Sequence, residues 1–218
     1  MKSQRRQARL PTSVNSNPTD QRILDGALEL FADRGFEATS LDLIGKVVGI
    51  SKQSVLYWFP SKEDLLMALV DRSVDELSLA LEDSLENPHS PSGRDQGWFK
   101  IESVVKAVFR VSAKRPELIG LLLEISRLGP PASSRLVERF DPLLTRAYAF
   151  LDGEMDRGTI KRHEPKFLLL ATYSMVVGMV SEIELLRAMG EEPSMRSLVK
   201  RRSDVLEFLR SALLIERD

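Results

Sequence analysis

Cysteine is absent from this chain of 218 residues, and histidine occurs only twice, as His89 and His163. The chain therefore offers no disulfide and no thiolate metal site, and two separated histidines do not form the cluster that zinc or iron requires. A glycine-rich phosphate loop and a paired nucleophile and base are missing as well. We expect no cofactor, no metal site and no enzymatic activity.

Long apolar runs are also missing. The longest, residues 167–180, is interrupted by Thr172, Tyr173 and Ser174, whereas a membrane-spanning helix needs about 20 apolar residues. No apolar segment near the first residue resembles a secretory signal. With 43% apolar and 29% charged residues, the composition is that of a globular protein, and we expect no membrane segment and a cytoplasmic location.

The formal net charge is −1, which by itself argues against binding to nucleic acid. Basic residues are nevertheless concentrated at the beginning, because residues 1–17 carry four positive charges and no acidic side chain. We interpret this segment as a flexible basic arm. It either reaches into a DNA minor groove or remains a solvated tail.

A helix-turn-helix pattern follows the first predicted helix. Thr39 or Ser40 can cap a short helix that Gly49 ends, because glycine adopts positive φ without a Cβ clash. Ser51 can cap the next short helix, and Pro60 ends it. This spacing of caps and breaks is typical of two helices that cross in a DNA-binding head.

The second of these short helices has the features of a recognition helix. Val55 and Phe59, four residues apart, are expected to face inward, which leaves the helix N-terminus exposed to base edges. The Gln53 amide has the geometry to pair with adenine through two hydrogen bonds. We expect base or phosphate contacts from Lys52, Gln53, Ser54 and Tyr57; the alternative is a solvated helix surface.

Three motifs carry a resemblance to a known family. They are the helix end Arg34-Gly35-Phe36, the turn Gly49-Ile50-Ser51 and the junction Phe59-Pro60-Ser61-Lys62-Glu63. With these motifs in this order, residues 19–76 resemble the DNA-binding domain of the TetR family of transcriptional regulators.

The sequence departs from the family pattern in the recognition helix. Members usually carry Tyr where this chain has Leu56, and Tyr57 follows it, so Tyr57 is expected to contact a different phosphate or to replace the missing one. The resemblance assigns backbone positioning on DNA to Thr39, Ser40 and Lys62. Helix capping is an equal alternative for Thr39 and Ser40.

The predicted fold is all-α, with an N-terminal three-helix helix-turn-helix DNA-binding domain and a larger C-terminal helical domain for ligand binding and dimerisation. The arm covers residues 1–17, the DNA-binding domain 18–64 and the C-terminal domain 65–218. Beyond the head, helices are predicted at 62–85, 98–113, 116–128, 133–157, 165–189 and 194–215, with a kink or restart at Pro142.

The resemblance implies a homodimer through the last two predicted helices, helices 8 and 9 of the chain. The first carries a stripe of small residues, Ala171, Ser174, Gly178 and Ser181, and the second an apolar stripe, Leu198, Val205, Leu209 and Leu213. The alternative is that both stripes are buried within one protomer.

The resemblance also implies a pocket for a small hydrophobic effector in the C-terminal domain. The candidate lining residues are apolar or aromatic; the alternative is that they form the core. They are Trp98, Phe99, Phe109, Leu122, Tyr173, Met175 and Met179.

These features predict a sequence-specific transcriptional regulator. We expect a dimeric repressor that binds a pseudo-palindromic operator in double-stranded DNA and is released by a small apolar effector. The alternative function is a DNA-binding regulator that is controlled by a protein partner or acts without a ligand.

Overall fold

The computed structural model describes residues 18–85 and 95–215, and the predicted basic arm lies outside these ranges. The described residues form helices and loops, with no strand among them. The helices are α1 (Pro18–Arg34), α2 (Leu41–Val48), α3 (Lys52–Trp58), α4 (Lys62–Leu85), α5 (Asp95–Lys114), α6 (Pro116–Leu128), α7 (Ala132–Asp156), α8 (Pro165–Ser181), α9 (Ile183–Ala188) and α10 (Met195–Leu213).

Local side-chain caps define the short helices of the N-terminal head, α1 to α3. The Ser40 hydroxyl accepts a hydrogen bond from the Leu43 N–H at 3.1 Å, and the Ser51 hydroxyl accepts one from the Ser54 N–H at 3.1 Å. Gly49 ends α2 with a φ of +79°. Each cap satisfies a donor that the first helical turn leaves unpaired, so these boundaries follow from local sequence.

Two hydrophobic cores organise the chain. The first core is built mainly by α1, α2, α3, α4 and α6, and its fully buried members include Phe31, Val55 and Leu121. The second core lies between α5, α7, α8 and α10 and includes Leu151 and Leu213. Because α6 belongs to the first core, the head packs directly on the C-terminal domain, and packing is continuous across the expected division at residue 64.

Two helix predictions for the C-terminal domain are corrected by the structure. The helix predicted at 165–189 is interrupted at Glu182, whose ψ of 57° leaves the helical region and separates α8 from α9. Neither Pro nor Gly marks that point, so the interruption has no local signal. Of the kink or restart predicted at Pro142, the restart does not occur, because α7 continues through this exposed residue.

Candidate nucleic-acid interface and ligand cavity

The N-terminal end of α3 is presented to solvent. Lys52, Gln53 and Ser54 are exposed, while Val55 is fully buried in the first core. The helix is therefore anchored by its inner face and offers its outer face and its N–H end to a ligand. This arrangement suits insertion into a major groove, where the first residues of a recognition helix meet base edges.

Tyr57 is the most exposed aromatic residue of the described chain, with 81% of its surface accessible. Its ring meets that of Trp58 edge to face at a centroid distance of 5.5 Å, and Trp58 in turn packs against the first core. Trp58 thus supports Tyr57 from beneath. The phenol of Tyr57 is free to reach the same ligand as Gln53, one helical turn earlier.

The crossing of α2 and α3 depends on a close backbone approach at Gly45. A Cβ atom at this position would lie 2.8 Å from the Ile50 carbonyl oxygen, which belongs to backbone and cannot move aside cheaply. The Ile50 N–H also donates to the Gly45 carbonyl at 2.8 Å. Gly45 costs the helix roughly 1 kcal/mol relative to Ala, and the close approach that it allows offsets this cost.

Of the three residues expected to position the DNA backbone, only Ser40 is exposed, at the N-cap of α2. Thr39 is buried, and its hydroxyl donates to the carbonyls of Gly35 (2.9 Å) and Leu30 (3.3 Å). The hydroxyl is committed to backbone, so the phosphate contact expected of Thr39 is not available.

Lys62 also differs from the expectation. Its ammonium donates to the carbonyl oxygens of Phe36 (2.9 Å) and Thr39 (3.1 Å) and lies 4.1 Å from the centroid of the Phe36 ring. These contacts hold the turn between α1 and α2 against the beginning of α4. Lys62 therefore stabilises the head through two of its three N–H donors, and its phosphate contact stays a prediction.

A carboxylate from the C-terminal domain reaches the same turn. Buried Glu124, on α6, accepts a hydrogen bond from the Phe36 N–H at 2.6 Å and forms an ion pair with Arg127 at 2.8 Å. Gly120, one turn earlier, allows α6 to approach α1 closely, because a Cβ there would lie 2.9 Å from the Ala32 Cβ. The turn is thus held from α4 and α6 together.

An ion-pair ladder joins α4 to α7. The Arg135 guanidinium binds both oxygens of Asp71 at 2.9 and 3.0 Å, Arg139 pairs with Asp75, and Arg146 pairs with Glu82 at 2.6 Å. The hydrogen bonds that Arg135 donates to Asp71, and then the one that it donates to Glu138, raise the pKa of Arg135. In each pair the two partners are 64 residues apart in the sequence, so the two helices run parallel.

Sequence reasoning missed this ladder and the Glu124 contact. The ladder left a signal, since the acidic residues of α4 and the basic residues of α7 share the spacing of four and then seven positions. The Glu124 contact left none beyond an acidic residue in an otherwise apolar helix, because its partner is a backbone N–H 88 residues away.

A cavity of about 480 Å³ lies in the C-terminal domain between α4, α5, α7, α8 and α10. Apart from Glu82, Lys100, Arg146 and Thr172, its wall is hydrocarbon. The apolar lining consists of Leu81, Leu85, Ile101, Val104, Val105, Leu143, Leu144, Ala147, Phe150, Leu151, Leu168, Leu169 and Leu213. Its volume lies in the range of small-molecule sites, roughly 300–1,000 Å³.

The seven effector-binding residues expected from the sequence are not brought together, and none of them lines this cavity. Phe109 is buried in the second core and Leu122 in the first, while Trp98 and Met175 pack against the second core. These four are therefore core residues, which was the alternative given for the candidate lining residues.

The other three effector candidates lie elsewhere. Tyr173 and Met179 are exposed on α8, and Phe99 is half-buried on α5 away from the cavity wall. The cavity is lined instead by other faces of the same helices, so the expectation identified the elements α5 and α8 but not the residues.

Comparison with known proteins identifies the head. Residues 23–69 match the model of the bacterial regulatory proteins of the tetR family. The head belongs to the TetR family. The matched segment runs from the buried face of α1 through α2 and α3 into the first half of α4, which is the head whose geometry is described above.

Two curated relatives extend the similarity beyond the head. The HTH-type transcriptional regulator EthR of Mycobacterium tuberculosis is 29% identical over 180 residues, which are 79% of this chain and 76% of the relative. The regulator RutR of Escherichia coli is 26% identical over 153 residues, or 70% and 69% of the two chains. Both relatives are named as HTH-type transcriptional regulators.

A solved structure shares the fold over most of the chain. The fatty acid degradation regulator FadR from Bacillus halodurans superposes with a TM-score of 0.70, at 15% sequence identity, and covers 90% of this chain and 96% of its own. At that identity the likeness establishes the fold alone. The all-α prediction is thereby confirmed.

The described part of the chain holds no group of three or more His, Cys, Asp or Glu residues arranged to bind a metal ion. None of its helices, over the same residues, is both long enough and apolar enough to cross a membrane.

Proposed function

We propose that the protein is a homodimeric repressor that binds a pseudo-palindromic operator and is released when a small, mainly apolar molecule occupies the C-terminal cavity. The observation that carries this proposal is the position of the cavity. Its wall includes Leu81, Glu82 and Leu85 from the last turns of α4, while the first residue of the same helix, Lys62, holds the head.

Helix α4 is the mechanical connection in this proposal. Its 24 residues correspond to about 36 Å, so a small tilt at the cavity becomes a larger displacement at the head. The ladder to α7 fixes the resting tilt, and its Glu82–Arg146 pair lies at the cavity itself. A ligand that binds more tightly to one tilt of α4 shifts the population of head positions. By linkage, bound DNA must then lower the affinity for the ligand by the same factor.

The release of DNA is tested with a neutral apolar probe, decanol. We expect decanol to weaken binding to an operator selected from random duplexes by a coupling of about 1–3 kcal/mol. Ala147→Phe should fill the cavity, so that the variant binds the operator but no longer responds to decanol. Fluorescence anisotropy of labelled operator, with calorimetric titration of decanol, measures both quantities.

Ala149→Phe is the matched control, since Ala149 is exposed on α7 and does not line the cavity. It should respond to decanol as the wild type does. If decanol binds equally well with and without DNA, or if Ala147→Phe still responds, the cavity is not the regulatory site. Control by a protein partner would then be the better proposal.

Exposed apolar side chains on α8 support the dimer. Phe167, Leu170 and Tyr173 are exposed on α8, whereas Val199 and Phe208 are exposed on different sides of α10. Joining two copies through α8 would remove its three side chains from water, and a two-fold dimer would match a two-fold operator.

The apolar stripe that was predicted to contribute α10 to the dimer is not exposed. Val205, Leu209 and Leu213 are buried in the second core of the same protomer. The apolar stripe of the last helix thus packs within the protomer, as the alternative had it. The small-residue stripe of α8 stays available, with Ser174 exposed.

Gly178→Leu is expected to weaken the dimer about tenfold or more, because added volume in a close-packed interface costs roughly 1–3 kcal/mol. A Cβ at Gly178 would meet no atom within 4 Å in the protomer, so the backbone position itself accepts a side chain. Sedimentation velocity measures the dissociation constant.

Ala113→Leu serves as the control for Gly178→Leu, because it adds the same side chain type at an exposed position on α5. A wild-type protein that is monomeric at micromolar concentration, or a Gly178→Leu dimer as tight as the wild type, would contradict this interface.

A further inference from the structure

The charges around the cavity do not balance. Glu82, on α4, and Arg146, on α7, form an ion pair at 2.6 Å, so that their charges largely cancel. Lys100, on α5, is the remaining charged residue of the lining. The cavity wall therefore carries an uncompensated positive charge.

The ammonium of Lys100 has no ion-pair partner among residues 18–85 and 95–215. Its nearest described interaction is with the ring of Phe150, another lining residue, at 5.4 Å from the centroid. By contrast, Lys106 on the same helix pairs with Glu102 at 2.6 Å. A contact with an aromatic face leaves the three N–H donors of an ammonium free for an anion.

The charged and apolar parts of the lining lie at different depths. The side chains of Glu82 and Arg146 remain 43% and 63% exposed, which places this pair at the mouth. Leu151 and Leu213 are buried and form the inner wall. A polar atom placed against that wall would lose its hydrogen bonds to water without replacement.

Resting on the effector role proposed for this cavity, we propose that the effector is a single-chain amphiphile with an anionic head group. Its hydrocarbon tail fills the inner part of the cavity, and its head forms an ion pair with the Lys100 ammonium. A cationic head would be repelled by Lys100, and a neutral head would gain no ion pair.

Four decyl compounds that differ only in the head group test this proposal on the full chain: decanoate, decyl phosphate, decanol and decyltrimethylammonium. Calorimetric titration, below the concentration at which each compound forms micelles, should show decanoate and decyl phosphate binding about fivefold to tenfold tighter than decanol. Decyltrimethylammonium should bind more weakly than decanol.

Lys100→Met keeps the length and the apolar stem of the side chain but removes its charge. It should bring decanoate and decyl phosphate to the affinity of decanol and leave decanol itself unchanged. Lys106→Met, whose parent residue pairs with Glu102 and does not line the cavity, should leave the wild-type order of affinities intact.

The outcomes separate this proposal from the effector role itself. If decanol binds and releases the operator but the anionic compounds bind no tighter, the head-group proposal is overturned while the effector role stands. The same holds if Lys100→Met retains the preference for anions. If none of the four compounds binds, both the head-group proposal and the effector role are overturned.

Discussion

Glu124→Ala is expected to lower the free energy of unfolding by about 2–3 kcal/mol, because a hydrogen bond to a charged acceptor is lost and a buried donor is left unpaired. Glu124 accepts the Phe36 N–H from within the first core. Chemical denaturation followed by circular dichroism measures the change. Operator affinity should fall as well, because the α1–α2 turn would no longer be fixed to α6.

Two further variants isolate the role of the Glu124 carboxylate. Glu124→Gln keeps an acceptor for the Phe36 N–H and should cost less than half as much as Glu124→Ala. Arg127→Ala removes the other partner of Glu124, which is a largely exposed guanidinium, and should change stability by less than about 0.5 kcal/mol.

If Arg127→Ala proved as destabilising as Glu124→Ala, the exposed ion pair would be the important contact. The role assigned to the Phe36 hydrogen bond would then be wrong. If Glu124→Ala unfolded like the wild type but bound the operator weakly, α6 would position the head without stabilising it.

Gln53→Ala is expected to relax the base preference of the operator at one position per half-site, at a cost of about 1–3 kcal/mol for the preferred base. Gln53 is exposed on the first turn of α3, where a recognition helix contacts base edges. Binding to a set of operators that differ at single positions, measured at fixed salt, tests this expectation.

Lys52→Ala is expected to act differently from Gln53→Ala. It should weaken all operators alike and reduce the salt dependence of binding by about one charge per protomer, because an exposed ammonium contacts phosphate without reading the sequence. If the two variants change base preference and salt slope in the same way, the roles assigned to these residues are wrong.

Lys62→Met should weaken DNA binding through the fold. The ammonium of Lys62 donates to the Phe36 and Thr39 carbonyls, so its removal should destabilise the head and leave the salt slope nearly unchanged. A reduced salt slope with unchanged stability would restore the phosphate contact that was expected from the sequence.

The helices and the exposed end of α3 could be predicted because the signals are local. Caps such as Ser40 and Ser51 lie within three residues of the N–H groups they satisfy, and Gly49 marks the end of α2 by its own conformation. The beginnings of α4 and α6 follow from equally local signals, Pro60 and Pro116. The exposed residues of α3 were accessible to the same reasoning, because burial of Val55 fixes the opposite side of one short helix.

The partners of the Lys62 ammonium and of the Phe36 N–H could not be predicted, because they depend on chain segments that meet only after folding. Lys62 reaches carbonyls 23 and 26 residues away, and Phe36 finds its acceptor on α6. No residue type in either segment signals such a contact.

The sequence by itself determined the helical class, the helix-turn-helix head and the family, since periodicity, caps and turn glycines act over a few residues. Only the tertiary structure decided which faces of α5, α7 and α8 enclose the cavity, that Lys100 lies at its wall, and that Glu124 joins α6 to the head. An amphipathic pattern shows that a helix face is buried, but what covers that face depends on how the helices rotate and cross. That geometry is set by packing among all of them at once.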